Sequence, residues 1–188
     1  MENRAHLLDC ALTLFAARGY DAVGVQEIVE AAGVTKPTLY YYFNSKRGLL
    51  NILLDEWFTP LTAAVRQAAE YQGDLVMSLR GVMLAFFNFA VENPAFYRLQ
   101  LALYFASPES EPNQAVSQFS IEQYRLVEEM FVRASEQHGN LKGRHGTYAA
   151  TFIGLINTYI GLFLNDHIVL NEPLVYKAVQ QFMYGIFS

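Results

Sequence analysis

The chain has 188 residues, a formal net charge of −5, and a composition that is 53% hydrophobic and only 16% charged. This length suits one domain or two small ones, and the apolar balance can supply a large core plus a buried interface. A single cysteine, Cys10, excludes an intramolecular disulfide framework. The opening MENRAHLLDC lacks the apolar run of a signal peptide, so a reducing, cytoplasmic location is expected.

The first predicted helix spans Asn3–Arg18, with Leu8, Ala11, Leu12 and Phe15 on one face and Gly19 as its stop. Cys10 lies within it as a small apolar side chain. With so few residues ahead of this helix, no basic arm into the minor groove is expected. The segment from Val25 reads VQEIVEAAGVTKPTLYYYFNSKR. Val25, Ile28, Val29 and Ala32 recur at helical spacing, and Gly33 ends that helix where a left-handed residue costs least. Thr35 is the expected N-cap of a second short helix, Lys36–Phe43, with Pro37 in its first turn. Phe43 falls beside Leu39 on the helical wheel, whereas Pro37, Thr38, Tyr40 and Tyr41 face the other way. A helix of two turns is unstable alone, so neighbours must hold it. Exposed tyrosines beside Lys36, Lys46 and Arg47 suit phosphates and base edges. The segment therefore reads as a helix-turn-helix whose second helix reads DNA.

The fourth predicted helix begins after Ser45 and extends to about Glu70, with Trp57 just before a kink or break at Pro60. Further helices are expected over Asp74–Glu92, Ala95–Phe105, Gln114–Gln137, Thr147–Asp166 and Leu174–Phe187. They are separated by Asn93-Pro94, the SPESEPN and HGNLKGRHG stretches, and Asn171-Glu172-Pro173. No segment shows strand periodicity. The expected fold is all α with nine helices, residues 1–46 binding DNA and residues 47–188 binding ligand and dimerising. The uncharged run Gly146–Leu164 nearly reaches membrane-spanning length. Thr147, Thr151, Asn157 and Thr158 dilute it and no basic cluster flanks it, so a helix buried partly by a second subunit is expected instead.

Residues 7–56, LLDCALTLFAARGYDAVGVQEIVEAAGVTKPTLYYYFNSKRGLLNILLDE, resemble the DNA-binding domain of the TetR family of bacterial transcriptional regulators. The end of the first helix (LF..RGY), the turn (I...AGV) and the run TLYYYF.SK..LL all match in register. The resemblance implies contacts to double-stranded DNA from Gln26, Lys36, Pro37, Thr38, Tyr40, Tyr41, Tyr42 and Lys46, with Thr35 capping the helix that presents them. Lys36 and Thr38 are the candidates for base edges, Pro37 for a thymine methyl, and Tyr40, Tyr41 and Lys46 for phosphates. Tyr42 stands where the family commonly has histidine. Gly24 replaces a usual Ser or Thr cap, which weakens the start of the preceding helix.

Residues 1–47 carry five basic and five acidic groups, so the whole negative excess lies beyond them. A local cationic patch at the reading helix is compatible with an acidic chain, whose remainder should bind DNA only weakly. In the second part aromatic residues recur at helical spacing, and Asn88 and Asn157 interrupt apolar faces, where unpaired amides are costly. Many apolar walls with few polar handles suit either a core or a ligand pocket. The expected pocket residues are Phe86, Phe89, Tyr104, Tyr124, Phe152 and Asn157. Ile153, Ile156, Ile160, Phe163 and Phe182 are the expected dimerisation residues, pairing the last two helices with their copies. His138, His145 and His167 lack metal-ligand spacing, and no nucleophile elbow, phosphate loop or carboxylate pair stands out. No metal, cofactor or catalytic residue is expected.

These readings converge on a homodimeric regulator, more a repressor than an activator, gripping a palindromic operator and released by a small hydrophobic effector. Two other classes remain at this point. One is a helical small-molecule carrier or enzyme that makes no use of DNA, and the other a DNA-binding protein with a chromosome-organising role.

Overall fold

A computed structural model describes residues 2–185 of the chain. Among these residues there are nine α-helices, no strand, and one short 3-10 turn over Gly139–Leu141. The helices are α1 (Glu2–Arg18), α2 (Val25–Ala31), α3 (Lys36–Phe43), α4 (Lys46–Ala68), α5 (Leu75–Glu92), α6 (Pro94–Tyr104), α7 (Glu111–Ala134), α8 (His145–Leu164) and α9 (Glu172–Tyr184). The all-α class and the helix order agree with the hydrophobic periodicity. The extension of the last helix to Phe187 lies outside the described residues. Pro60 does not end α4, which passes through it. Thr59 and Pro60 sit on an exposed stretch, where water can replace the one backbone hydrogen bond a proline omits.

The helices gather into two compact units, each built from two chain segments. The first comprises the chain up to Thr59 together with Asn93–Phe119, and the second comprises Pro60–Glu92 and the chain from Ser120 onward. The compact units therefore do not part between residues 46 and 47. Leu49, Leu50, Leu53 and Leu54 of α4 are completely buried, so the first half of that helix is core to the first unit.

In the first unit α6 lies along α1, and α2 and α3 pack on α1. Leu7, Leu8, Phe15, Ile28, Leu39 and Phe43 form its interior. Phe58 of α4 stacks on Phe119 at 4.5 Å between ring centroids and meets Phe96 edge-on at 5.1 Å, while Trp57 stacks on the same Phe96 at 5.9 Å. Such ring contacts add to the burial of the rings themselves.

In the second unit α5 packs against α8 and α9. Leu79, Val82, Met83 and Phe86 of α5 and Phe152, Ile156 and Ile160 of α8 are buried. By length and composition alone α5 and α8 could each cross a bilayer. In α8 the buried side is Ala149, Phe152, Ile156 and Ile160, and the opposite side leaves Thr151, Gly154, Thr158 and Leu162 exposed.

Candidate nucleic-acid interface

The geometry of α3 follows from its packing. Leu39 and Phe43 are buried at 0% and 1% exposure, which fixes the roll of the helix. The same roll turns Lys36, Pro37, Tyr40 and Tyr41 outward, with Tyr41 82% exposed. Thr35 occupies the N-cap with extended backbone, but its hydroxyl does not cap the helix. Instead its oxygen lies 3.0 Å from the hydroxyl of Thr38, so the two threonines form one polar edge at the start of α3. Tyr42 is half-buried and meets Tyr41 edge-on at 5.1 Å, which orients the more exposed ring. Gln26 on α2 is exposed and its amide donates to Glu30.

The turn that delivers α2 is reinforced in a way that offsets the missing Ser or Thr cap. The Gly24 N–H donates to Glu27 Oε1 at 3.0 Å, the reach-back half of a capping box. Arg18 at the end of α1 donates to the other Glu27 oxygen and, at 3.3 Å, to the carbonyl of Ala22. These two donors, Gly24 first, hold the Glu27 carboxyl below the ordinary carboxylate range.

Lys46 has a different environment from the one expected of a phosphate contact. Its Nζ donates to the Tyr20 carbonyl at 2.6 Å and sits 3.9 Å above the Tyr20 ring. The ammonium is thus committed to the α1–α2 connection, with a carbonyl and a π face already meeting it. Burial pulls its pKa down, and Asp21, Glu111 and Glu27 act the other way. Arg47 is likewise engaged: its Nε donates to Asn51 Oδ1 at 2.9 Å, and its guanidinium donates to the Glu111 carbonyl. Of the three cations in and next to α3, Lys36 is the exposed one.

Two positions that sequence reasoning missed shape this site. The first is Gly48. A Cβ built there would stand 1.9 Å from the carbonyl oxygen of Phe43, so the end of α3 and the first turn of α4 approach too closely for any other residue. A glycine inside the helix-forming run KRGLLNILL was the available signal. The second is Glu111, at the first turn of α7. Its Oε2 accepts from the Tyr20 hydroxyl at 3.0 Å, and Arg47 holds its backbone. Burial and this carboxylate raise the Tyr20 pKa well above its ordinary value. A partner 91 residues away in the chain leaves no local signal.

The expected pocket and interface residues are distributed unevenly. Phe86, Phe89 and Phe152 are buried in the second unit. Tyr124 is half-buried, with its hydroxyl on Glu128 and 2.7 Å from where a Cβ on Gly146 would lie. Asn157 is half-buried, Asn88 is exposed, and Tyr104 is 50% exposed on α6 of the first unit. Ile156 and Ile160 have no accessible surface, so they are core of their own protomer and cannot meet a partner. Phe182 also turns inward, with ring centroids 5.0 Å from Phe152 and 6.2 Å from Phe131. Ile153 and Phe163 retain partial exposure.

A family model described as bacterial regulatory proteins of the tetR family matches residues 7–53. The chain is 29% identical over 184 residues to the HTH-type transcriptional activator FasR of Mycolicibacterium smegmatis, spanning 98% of this chain and 82% of that protein. Over 65 residues it is 39% identical to the HTH-type transcriptional repressor KstR2 of Rhodococcus jostii, spanning 35% of this chain and 32% of that one. The fold is shared with the TetR-family regulator PfmR from Thermus thermophilus, at a TM-score of 0.79, 23% identity and 97% and 96% coverage of the two chains. It is also shared with FadR from Bacillus subtilis in complex with stearoyl-CoA, at a TM-score of 0.79, 19% identity and 97% and 98% coverage.

Proposed function

Since this chain belongs to the TetR family of bacterial regulators and is a DNA-binding transcriptional regulator, we propose that it works in the cytoplasm as a homodimeric repressor released from a palindromic operator by a small hydrophobic effector. The division of α3 carries this reading. Leu39 and Phe43 anchor the helix while Thr35, Lys36, Pro37, Tyr40 and Tyr41 stand free of the core. Lys36 and Thr38 read base edges, Pro37 meets a thymine methyl, and Tyr40 and Tyr41 hold phosphates. Gln26 and Tyr42 flank that surface. Lys46 acts from behind it by fixing the α1–α2 connection through Tyr20.

Dimerisation uses the uncovered side of α8, with Ile153 and Phe163 at its margins and Gly154 and Thr158 at its centre. A Cβ added at Gly154 or Gly161 meets nothing within 4 Å, so this side can accept a close partner helix. The effector is held in the second unit. Thr62 Oγ1 and Gln123 Nε2 are buried there without a hydrogen-bond partner, and an unmet buried polar group favours a ligand that satisfies it. Arg66 on α4 donates to Glu122 on α7 at 2.6 Å, which keeps these two helices side by side at that level. The similarly folded FadR holding stearoyl-CoA supports a hydrophobic effector.

The test is selection of bound sequences from the DNA upstream of the gene, followed by mobility shifts. A palindromic site bound by the unmodified protein is expected, with Lys36→Ala and Thr38→Ala each relaxing discrimination at particular base pairs by about 1–3 kcal/mol. Unchanged specificity in both variants would remove α3 from the reading role.

A further inference from the structure

The second unit contains an open cavity of about 300 Å³ that none of the expected pocket residues lines. It lies between the start of α5, the end of α7, the 3-10 turn and the end of α9. Its floor is apolar, with Leu75, Leu79 and Leu141 each no more than 9% exposed. Three rings make its side: Phe131, Tyr148 and Phe182 stand in a triangle with centroids 5.7, 6.2 and 6.3 Å apart. Gly73 takes a left-handed φ of 93°, and the Tyr71 hydroxyl donates to Gln137 Oε1 at 2.9 Å, fastening the segment before α5 to the segment after α7.

The charge on the lining is one-sided. Asp74 lines the cavity together with His138 and Asn140, and among the described residues no lysine or arginine lines it. One Asp74 oxygen, Oδ1, accepts from the N–H of Met77 at 3.0 Å, which orients the carboxylate and leaves Oδ2 for another partner. A carboxylate lining the same cavity as three aromatic rings favours a cation and opposes an anion. The volume is at the low end for organic ligands and holds roughly ten waters, so it suits one ring with a short substituent rather than a long chain. We propose that this cavity is a binding site for a small lipophilic cation, an aromatic or branched ammonium compound with its charge at Asp74 and its apolar body among Phe131, Tyr148 and Phe182. The site stands on the second unit alone and does not depend on the DNA-reading role of α3.

The full chain is titrated with benzyltrimethylammonium, its uncharged carbon isostere neopentylbenzene and the anion benzenesulfonate, followed by calorimetry and thermal melting. The cation should bind saturably and raise the melting temperature. The isostere should bind about tenfold more weakly, reflecting the missing cation–π and carboxylate attraction, and the anion should not saturate. Asp74→Asn keeps the Oδ1 acceptor and should weaken the cation by about threefold while leaving the isostere unchanged. Val76→Phe, which fills the cavity from its half-buried edge, should abolish binding of both. Equal affinity for cation and isostere, saturable binding of the anion, or full binding by Val76→Phe would each overturn the site. A mobility shift on the same samples separates the two proposals. Intact DNA binding without cation binding refutes the cavity site alone, and cation binding without DNA binding supports it while refuting the role given to α3.

Discussion

Leu39 and Tyr41 are two residues apart on α3 and should fail in opposite ways when replaced by alanine. Leu39 has no accessible surface in the first unit, and Leu39→Ala removes three carbons from a site walled on all sides. Such truncations cost about 2–5 kcal/mol through lost transfer energy and the cavity left behind. Set against a typical total of about 5–15 kcal/mol, that is enough to loosen a helix whose geometry depends on packing. Tyr41 is 82% exposed, so Tyr41→Ala should change stability by no more than about 0.5 kcal/mol. On the proposed role its hydroxyl donates to a phosphate, and losing a hydrogen bond to a charged group costs about 1.5–3 kcal/mol, or roughly ten- to hundredfold in affinity. Because the tyrosine is uncharged, the slope of log affinity against log salt should not change in Tyr41→Ala. Urea denaturation followed by circular dichroism measures the first quantity, and anisotropy of labelled operator across a salt series measures the second. A Tyr41→Ala protein that loses more than about 2 kcal/mol of stability, or binds DNA normally, would refute the division of α3 into anchor and reader.

Other outcomes follow from the same packing. Gly48→Ala forces a Cβ to within 1.9 Å of the Phe43 carbonyl; it should cost at least about 1–3 kcal/mol of stability and weaken operator binding through a changed α3–α4 junction. The Glu27 carboxyl is held low by Gly24 and Arg18. The stability it contributes is therefore present above its unfolded value of about 4.3 and lost as pH falls through the lower folded value. Glu27→Gln should flatten that part of the acid-unfolding profile, and an unchanged acid limb would refute the cap. On α8, Ile153→Glu should yield a folded monomer by sedimentation, whereas Ile156→Glu should unfold the second unit because its side chain has no accessible surface. A stable, dimeric Ile156→Glu protein would overturn the assignment of the two sides.

What the sequence by itself determined is what local periodicity and short-range sterics can carry. The 3.6-residue period placed Leu39 and Phe43 inward and Tyr40 and Tyr41 outward, and Gly33 and Thr35 marked the turn between α2 and α3. The same signals located nearly every helix. They did not fix which apolar residues of α8 face inward: Thr147, Thr151 and Thr158 mark one side at helical spacing, but Ile153, Ile156, Ile160 and Phe163 all lie away from it. Packing against α5 decided it, burying Ile156 and Ile160 and leaving Gly154 and Thr158 outside. Lys46 was legible as a cation near the reading helix, yet its commitment to the Tyr20 carbonyl and ring depends on a residue 26 positions earlier. Glu111 joins Tyr20 and Arg47 across still greater separations. The cavity beside Asp74 draws its walls from α5, α7, α8 and α9, and no stretch of sequence holds that arrangement. Contacts within one or two helical turns are written in the order of residues. Contacts between distant segments exist only once burial of the apolar faces has brought those segments together.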